Sequence, residues 1–285
     1  MGSPTWPTTA PRLVATDLDN TLLAPDGTLS TRTRDALRSV AGAGIDVVFV
    51  SARPLRRLQE LAEHVDGHGV AICSNGAAVL DVATGALLTE QGMSAADVTA
   101  VVERLRTAWG PDAVHFAVEH ARGFDAEHGF VDSHPVPPTA RFADRIEELL
   151  PHATLKLLVR TSAPWDETFP SLVATVIGEL GRVADSGAPG LGEISATDVT
   201  KAATLQRLAA DRGIRSEHVW AFGDAPNDLP MLRWARTSFA VANAFPEVLA
   251  AASHSCPSNA EDGVAQVLEH AAALVVGSPG RAATS

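Results

Sequence analysis

The sequence predicts an α/β fold: a Rossmann-like, doubly wound parallel sheet interrupted by an inserted α+β domain. Three observations predict it. Short apolar runs of strand length alternate with amphipathic helical stretches at both ends of the chain. One run, residues 45–50 (IDVVFV), is almost continuously apolar, the form expected of a strand buried on both faces. The middle breaks this rhythm with a polar, turn-rich stretch, residues 119–139, holding three prolines and three histidines.

In chain order, residues 13–15 read as a first strand. Residues 31–41 read as a helix with Ser30 or Thr31 at its N-cap. Strand 45–50 follows, then a helix over 55–65 and a short buried strand at 70–73. The middle reads as helix 94–109, strand 113–118, the turn-rich stretch, helix 141–150, strand 154–160, helix 165–180 and strand 182–184. After the Gly/Pro-rich SGAPGLG the first rhythm returns: helix 201–212, strand 218–222, a helical turn at 228–234, strand 239–241, and helices 247–252 and 263–273. The expected division is a discontinuous α/β core over 11–82 and 188–276, an inserted domain over 83–187, and loose tails at 1–10 and 277–285. A chain of 285 residues suits two modest domains.

Composition narrows the function classes. With 46% hydrophobic and 20% charged residues, wholesale disorder is excluded. No apolar run approaches membrane-spanning length, and the N-terminal residues do not resemble a secretory signal. Two cysteines cannot build a disulfide scaffold, so a cytoplasmic, reducing setting is expected. A net charge of −12 argues against nucleic acid or an anionic membrane as partner. Of the 22 basic residues, all but Lys156 and Lys201 are arginines, which makes each lysine worth explaining.

The chemistry collects where strands end. The first strand runs into Asp17-Leu18-Asp19-Asn20-Thr21, the second into Ser51-Ala52-Arg53, the third into Ser74-Asn75-Gly76, and strand 218–222 into Gly223-Asp224-Ala225-Pro226-Asn227-Asp228. In a parallel sheet these ends share one edge, where open α/β folds bind ligands. Asp17, Asp19, Asp224 and Asp228 gathered there without counter-charge would repel one another. A hard divalent cation resolves the repulsion, and carboxylates with a backbone carbonyl and waters suit Mg²⁺. Such a cation is usually shared with a phosphate, whose oxygens Ser51, the adjoining Ala52, Asn227 and Lys201 are placed to hold. Arg53 and Asn75 are further candidates, though Asn75-Gly76 is equally a turn dipeptide.

These residues resemble the four ordered motifs of the haloacid dehalogenase (HAD) superfamily. The run Gly-Asp-Ala-Pro-Asn-Asp-Leu-Pro-Met-Leu, together with the insertion between Ser51 and Lys201, resembles the Cof-type hydrolases with a type IIB α+β cap. The resemblance implies a phosphatase acting on small phosphorylated metabolites through an aspartyl-phosphate, with sugar phosphates the favoured class. It makes Asp17 the nucleophile and Asp19 the general acid and base. It gives Mg²⁺ to Asp17, Asp224 and the Asp19 carbonyl, and the phosphate to Ser51, Lys201 and Asn227. Asp228 is implied to orient Lys201 or a metal-bound water. The chain departs from many relatives at Asn20, at Ser51-Ala52 and at Ala202, without losing a reacting group. A sugar phosphomutase with the same nucleophile, and a non-catalytic phosphate-binding regulatory module, remain open alternatives. The oligomeric state is not legible.

Other residues read more plainly. His115, His120, His128 and His134 match no compact zinc spacing and read as solvated loop residues. Arg122, His128 and His134 nevertheless fall in the insertion that closes over the site in relatives. Cys73 reads as a small buried hydrophobe. Trp109, Trp165, Trp220 and Trp234 read as packing residues.

Overall fold

The structure, a computed structural model, describes residues 6–58, 68–131, 135–161, 168–184 and 190–277. The first sheet has eight strands. In chain order these are β1 (Leu13–Asp17), β2 (Asp46–Val50), β3 (Val70–Cys73), β4 (Ala78–Asp81), β5 (Leu87–Glu90), β12 (Val219–Gly223), β13 (Thr237–Val241) and β14 (His254–Cys256). Their spatial order is β14-β13-β12-β1-β2-β3-β4-β5. The chain starts at β1, builds outward through β2 and β3, then returns to add β12, β13 and β14 on the other side. These six strands are parallel; β4 pairs antiparallel with β3, and β5 antiparallel with β4, so β4 alone runs against the rest of the sheet. This is the doubly wound sheet the sequence predicts. β1 and β12 are buried along their whole length, as strands covered on both faces must be.

The helices follow the expected register closely. α1 (Thr31–Gly42) is capped by Ser30, whose hydroxyl accepts from the Thr33 N–H. α2 (Ala95–Trp109) opens with a reciprocal capping box between Ser94 and Asp97. α3 (Phe169–Ile177), α4 (Lys201–Asp211), α5 (Leu229–Trp234), α6 (Pro246–Ala251) and α7 (Gly263–Val276) complete the set among the described residues. α1 packs along α7, and α4 along α5. No helix among the described residues is long and apolar enough to cross a membrane.

The second sheet has six strands: β6 (Val114–His120), β7 (Gly123–Glu127), β8 (Arg141–Ala143), β9 (Lys156–Thr161), β10 (Arg182–Ala184) and β11 (Leu191–Ser195), in the order β10-β11-β9-β6-β7-β8. α2 and α3 cover one face through Val98, Val102, Leu105 and Val173, packed on Phe116, Leu157, Val159 and Ile194. Because strand residues alternate between faces, Ala117, Leu158 and Leu191 fall on the opposite face. Glu119, Lys156 and Glu193 share that opposite face by the same alternation, and all three are buried.

Three expectations are corrected. Residues 141–150 do not form a helix. The buried carboxylates of β7 take their backbone donors instead: Asp125 accepts from the Arg141 N–H at 2.9 Å and Glu127 from the Ile146 N–H at 2.9 Å. Arg141–Ala143 thus becomes a parallel edge strand, followed by a short 3₁₀ turn at Ile146–Glu148. The turn-rich stretch is also partly regular, since β6 extends to His120 and β7 begins at Gly123. Finally, the chain changes sheet later than 82 and 188: β5 still edges the first sheet, and β11 still belongs to the second. Exposed β5 gives no buried alternation by which it could have been recognised. Of the helices read at 55–65 and 165–180, the structure gives a 3₁₀ turn at Leu55–Arg57 and α3 with a 3₁₀ extension. Residues 59–67 and 162–167, with Trp165, lie outside the described residues.

Candidate active site

Because β1, β2, β3 and β12 are parallel, their C-terminal ends share one edge of the sheet. Asp17 is the last residue of β1, Ser51 follows β2, Ser74 follows β3 and Asp224 follows β12. Lys201 opens α4, whose first turn is capped by the Thr200 hydroxyl accepting from the Ala203 N–H at 3.0 Å. All five residues are buried.

Lys201 is the hub. Its Nζ donates to Asp17 Oδ1 at 2.5 Å and to Asp228 Oδ1 at 2.8 Å. Asp228 Oδ2 accepts from the backbone N–H groups of Asp224 and Ala225, both at 3.2 Å, so neither of its oxygens is idle. Gly223 makes this fold-back possible, since a Cβ there would lie 2.6 Å from the Asp228 Cβ. Thr21 donates its hydroxyl to Asp224 Oδ1 at 2.7 Å. The β3 loop braces the helix that carries Lys201: the Gly76 carbonyl accepts from the Thr204 hydroxyl at 2.8 Å. Gly76 has φ +113°, and a Cβ there would sit 2.4 Å from the Thr200 carbonyl oxygen. Gly76→Ala should therefore cost about 2–4 kcal/mol of stability and lower activity by shifting Lys201. Urea unfolding beside a rate assay checks this, and an unchanged melt would show that the loop does not brace the helix.

Electrostatics sharpen the picture. Burial pushes the Asp17 carboxyl well above the usual range, against the pull of Lys201 and with the added push of Asp228 and Asp224. Burial likewise raises Asp224 to about 6, opposed by its bond from Thr21. Burial works against the Lys201 cation, but Asp17 and Asp228 outweigh it and its pKa is raised. Carboxylate oxygens of Asp17, Asp224 and Asp228 lie within 4.8 Å of one another, with one ammonium among them. That deficit of positive charge, presented by hard oxygen donors, fits a divalent cation such as Mg²⁺. Asp17 Oδ2 and Asp224 Oδ2 carry no hydrogen bond among the described residues and are the natural ligands, whereas Asp228 is already spent on Lys201 and two N–H groups.

The remaining sequence candidates lie around this centre. Asp19 is exposed, and the Arg53 guanidinium grips its carboxylate at 2.5 and 2.9 Å. Ser51 Oγ accepts from the Arg53 N–H at 3.0 Å. Asn227 stands in the 3₁₀ turn Pro226–Asp228. Asn227 Oδ1, Asn75 Oδ1 and Ser74 Oγ are buried without a partner among the described residues, which is what a polar ligand would correct. Asn20 adopts φ +58°, and its carbonyl accepts from Asn243 Nδ2 at 2.8 Å.

A sequence-family comparison decides the family. The model of the haloacid dehalogenase-like hydrolases matches residues 14–268. The chain belongs to this family. Among HAD relatives, YxeH of Bacillus subtilis is 29% identical over 275 residues, covering 90% of this chain and 97% of that protein. The 5-amino-6-(5-phospho-D-ribitylamino)uracil phosphatase YcsE of Bacillus subtilis is 27% identical, over 91% of this chain and 95% of that protein. The HMP-PP phosphatase of Cronobacter sakazakii is 28% identical, over 85% and 88%. The crystal structure of SMU.1108c from Streptococcus mutans shares the HAD fold with a TM-score of 0.77 at 24% identity, over 93% of this chain and all of that one. The chain is thus a phosphatase of the HAD family, of the Cof type.

Two groups near the HAD site escaped the sequence reading. Thr21 belongs to the first motif, where the sequence alone assigns it no task, yet its hydroxyl holds Asp224. Asn243 lies two residues past β13, close to the edge where Asp224 follows β12, so the rule of polar residues near strand ends would have found it. The histidines are engaged within the second sheet: His120 faces Asp125 at 3.2 Å, His115 lies 3.8 Å from Glu127, and His128 stacks on Phe142. His134 lies outside the described residues. Burial pushes the Cys73 thiol up to about 12, which makes it a poor nucleophile. Trp220 packs in the core between Phe239 and His270, and Trp109 against Phe169.

Proposed function

We propose that the chain hydrolyses small phosphate monoesters, with Mg²⁺, through a phosphorylated Asp17. The observation that carries this reading is the buried cluster of Asp17, Asp224 and Asp228 around Lys201. In the first step an Asp17 carboxylate oxygen attacks phosphorus in line, the bond to the leaving oxygen breaks, and Asp19 gives that oxygen its proton. In the second, Asp19 takes a proton from water, which attacks phosphorus and frees phosphate, restoring the Asp17 carboxylate. Mg²⁺ held by the Asp17 and Asp224 carboxylates and the Asp19 carbonyl would lower the repulsion between nucleophile and phosphate and stabilise the oxygens' developing charge. Lys201 neutralises Asp17, Asp228 fixes Lys201, and Ser51 and Asn227 donate to the phosphoryl oxygens.

The first sheet with its helices acts as the core, and the second sheet with α2 and α3 acts as the cap, over about residues 91–195 rather than 83–187. Seating it over the site excludes water and reads the leaving group, and its opening releases product. The favoured substrates are sugar phosphates. Phosphorylated vitamin or nucleotide-related metabolites come next; YcsE is named for a phosphoribitylamino-uracil and the Cronobacter enzyme for HMP-PP.

The deciding experiment is phosphate release by the purified protein from a panel of such compounds, with Mg²⁺ and with EDTA, beside Asp17→Asn. Release is expected only with Mg²⁺, and the variant should lose at least about 10³-fold in rate. Failure of a folded protein to release phosphate from any compound would sink the reading.

A further inference from the structure

Lys156, the second of the two lysines, has no part in the chemistry above. Yet it is as buried as Lys201, at 4% exposed, and it reaches the same sheet edge from the other sheet. It begins β9, on the face away from α2 and α3. Its Nζ donates to Glu193 Oε2 at 2.6 Å and to the Ala52 carbonyl at 2.9 Å. That carbonyl shares a peptide unit with the Arg53 N–H, which donates to Ser51 Oγ at 3.0 Å. The ammonium and the Ser51 hydroxyl therefore bind opposite ends of one trans peptide. A cation on the carbonyl strengthens the donor at the other end of such a chain. Since Ser51 Oγ already accepts there, its own hydrogen is left to donate, and it meets no acceptor among the described residues although Ser51 is buried.

A second strut meets the same loop. Arg56 binds Glu119 through Nη2 at 2.8 Å and Nε at 3.1 Å, and its guanidinium lies over the Phe124 ring. Glu119 is the cross-strand partner of Lys156 in the β6–β9 ladder. One cross-strand pair of the second sheet thus grips residues 52–56 at both ends.

We infer that Lys156 is a positioning residue for the transferred phosphate, acting through the Ala52–Arg53 peptide on the Ser51 hydroxyl. The inference rests on Ser51 being a phosphate ligand, as read above. It makes the seating of the second sheet part of assembling the phosphate site, because the hydroxyl is fixed from outside its own sheet.

The test is a mutant cycle on the full chain. Lys156→Met is combined with Glu193→Gln, so that no buried carboxylate is left unpaired. This pair, Ser51→Ala, their combination and the wild type are compared by kcat and KM on p-nitrophenyl phosphate and on the best panel substrate. The paired change should lower kcat/KM by about 10–30-fold in the wild type and by less than about 3-fold when Ser51 is already alanine. A contact that merely holds the sheets together would cost the same in both backgrounds, and that result, or no loss at all, overturns the inference. Should the paired variant fail to fold, Lys156→Gln, which keeps a donor to the Ala52 carbonyl without the charge, serves in the same cycle with a smaller expected loss. A wild type that releases no phosphate overturns the phosphatase reading and this one with it. An active wild type with an additive cycle overturns this one alone.

Discussion

Lys201→Met is expected to lower phosphate release by about 10³-fold and, in EDTA, to destabilise the fold by about 3–5 kcal/mol. Both effects follow from one geometry. Among the described residues Lys201 is the only cation bonded to the buried carboxylates of Asp17 and Asp228, and a carboxylate oxygen of Asp224 lies within 4.8 Å of theirs. Without it, carboxyl groups already pushed up by burial face one another with no compensating charge. Two consequences separate this from ordinary loss of packing. Mg²⁺ should stabilise Lys201→Met more than it stabilises the wild type, because the ion replaces the missing positive charge and binds only the folded site. Activity should not return with it, since on the proposed reading Lys201 would also bind a phosphoryl oxygen, which the ion in its place cannot do. Urea melts of both proteins, with and without Mg²⁺, read the first consequence. Equal stability of the two in EDTA would mean that Lys201 does not balance the carboxylates.

The sequence was most legible where local and global signals agree. The apolar run before Asp17 and the buried run before Ser51 announce central strands, and polar residues directly after them announce the edge that collects them. Ser30 announced its helix through a side chain that satisfies one of the first free N–H groups, and Ser94, which begins the helical stretch 94–109, turns out to cap its helix in the same way. Legibility failed where a distant partner decides. Residues 141–150 have a helix's composition, but Asp125 and Glu127, brought alongside by β7, claim their backbone donors. Nothing local to Glu119 and Glu193 marks them as buried acids, and Arg56 and Lys156 reach them from distant parts of the chain. In the site, the chain order of the motifs suggested which residues gather, while the bracing did not follow from it. Nothing local to Gly76 says that Thr200 lies against it, and nothing local to Lys156 says that the Ala52 carbonyl is its acceptor.

Asp19→Asn should separate the two halves of the reaction. Asp19 is the exposed member of the four acids, with half its side chain open to solvent, whereas Asp17, Asp224 and Asp228 are buried. The backbone explains the difference. Asp19 itself is extended at φ −72° and ψ 128°, and Asn20 turns at φ +58°, so the segment after Asp17 leaves the helical path. The Asp19 carboxylate thereby ends beside Arg53, outside the buried cluster, where a leaving oxygen or a water can reach it. With an alkyl phosphate, whose leaving oxygen needs a proton, the variant should lose about 10²–10⁴-fold in kcat. With p-nitrophenyl phosphate the leaving group departs as a stable anion, so phosphorylation of Asp17 should survive while attack by water, deprived of its base, stalls. The expected signature is a burst of nitrophenolate equal to one turnover per site, followed by slow release, with phosphate retained on the protein until the acyl phosphate is hydrolysed. Wild-type turnover of an alkyl phosphate by Asp19→Asn would remove Asp19 from the acid–base role. Loss of the burst as well would place its contribution before the covalent step, in holding Arg53 and the loop after Ser51 rather than in moving a proton.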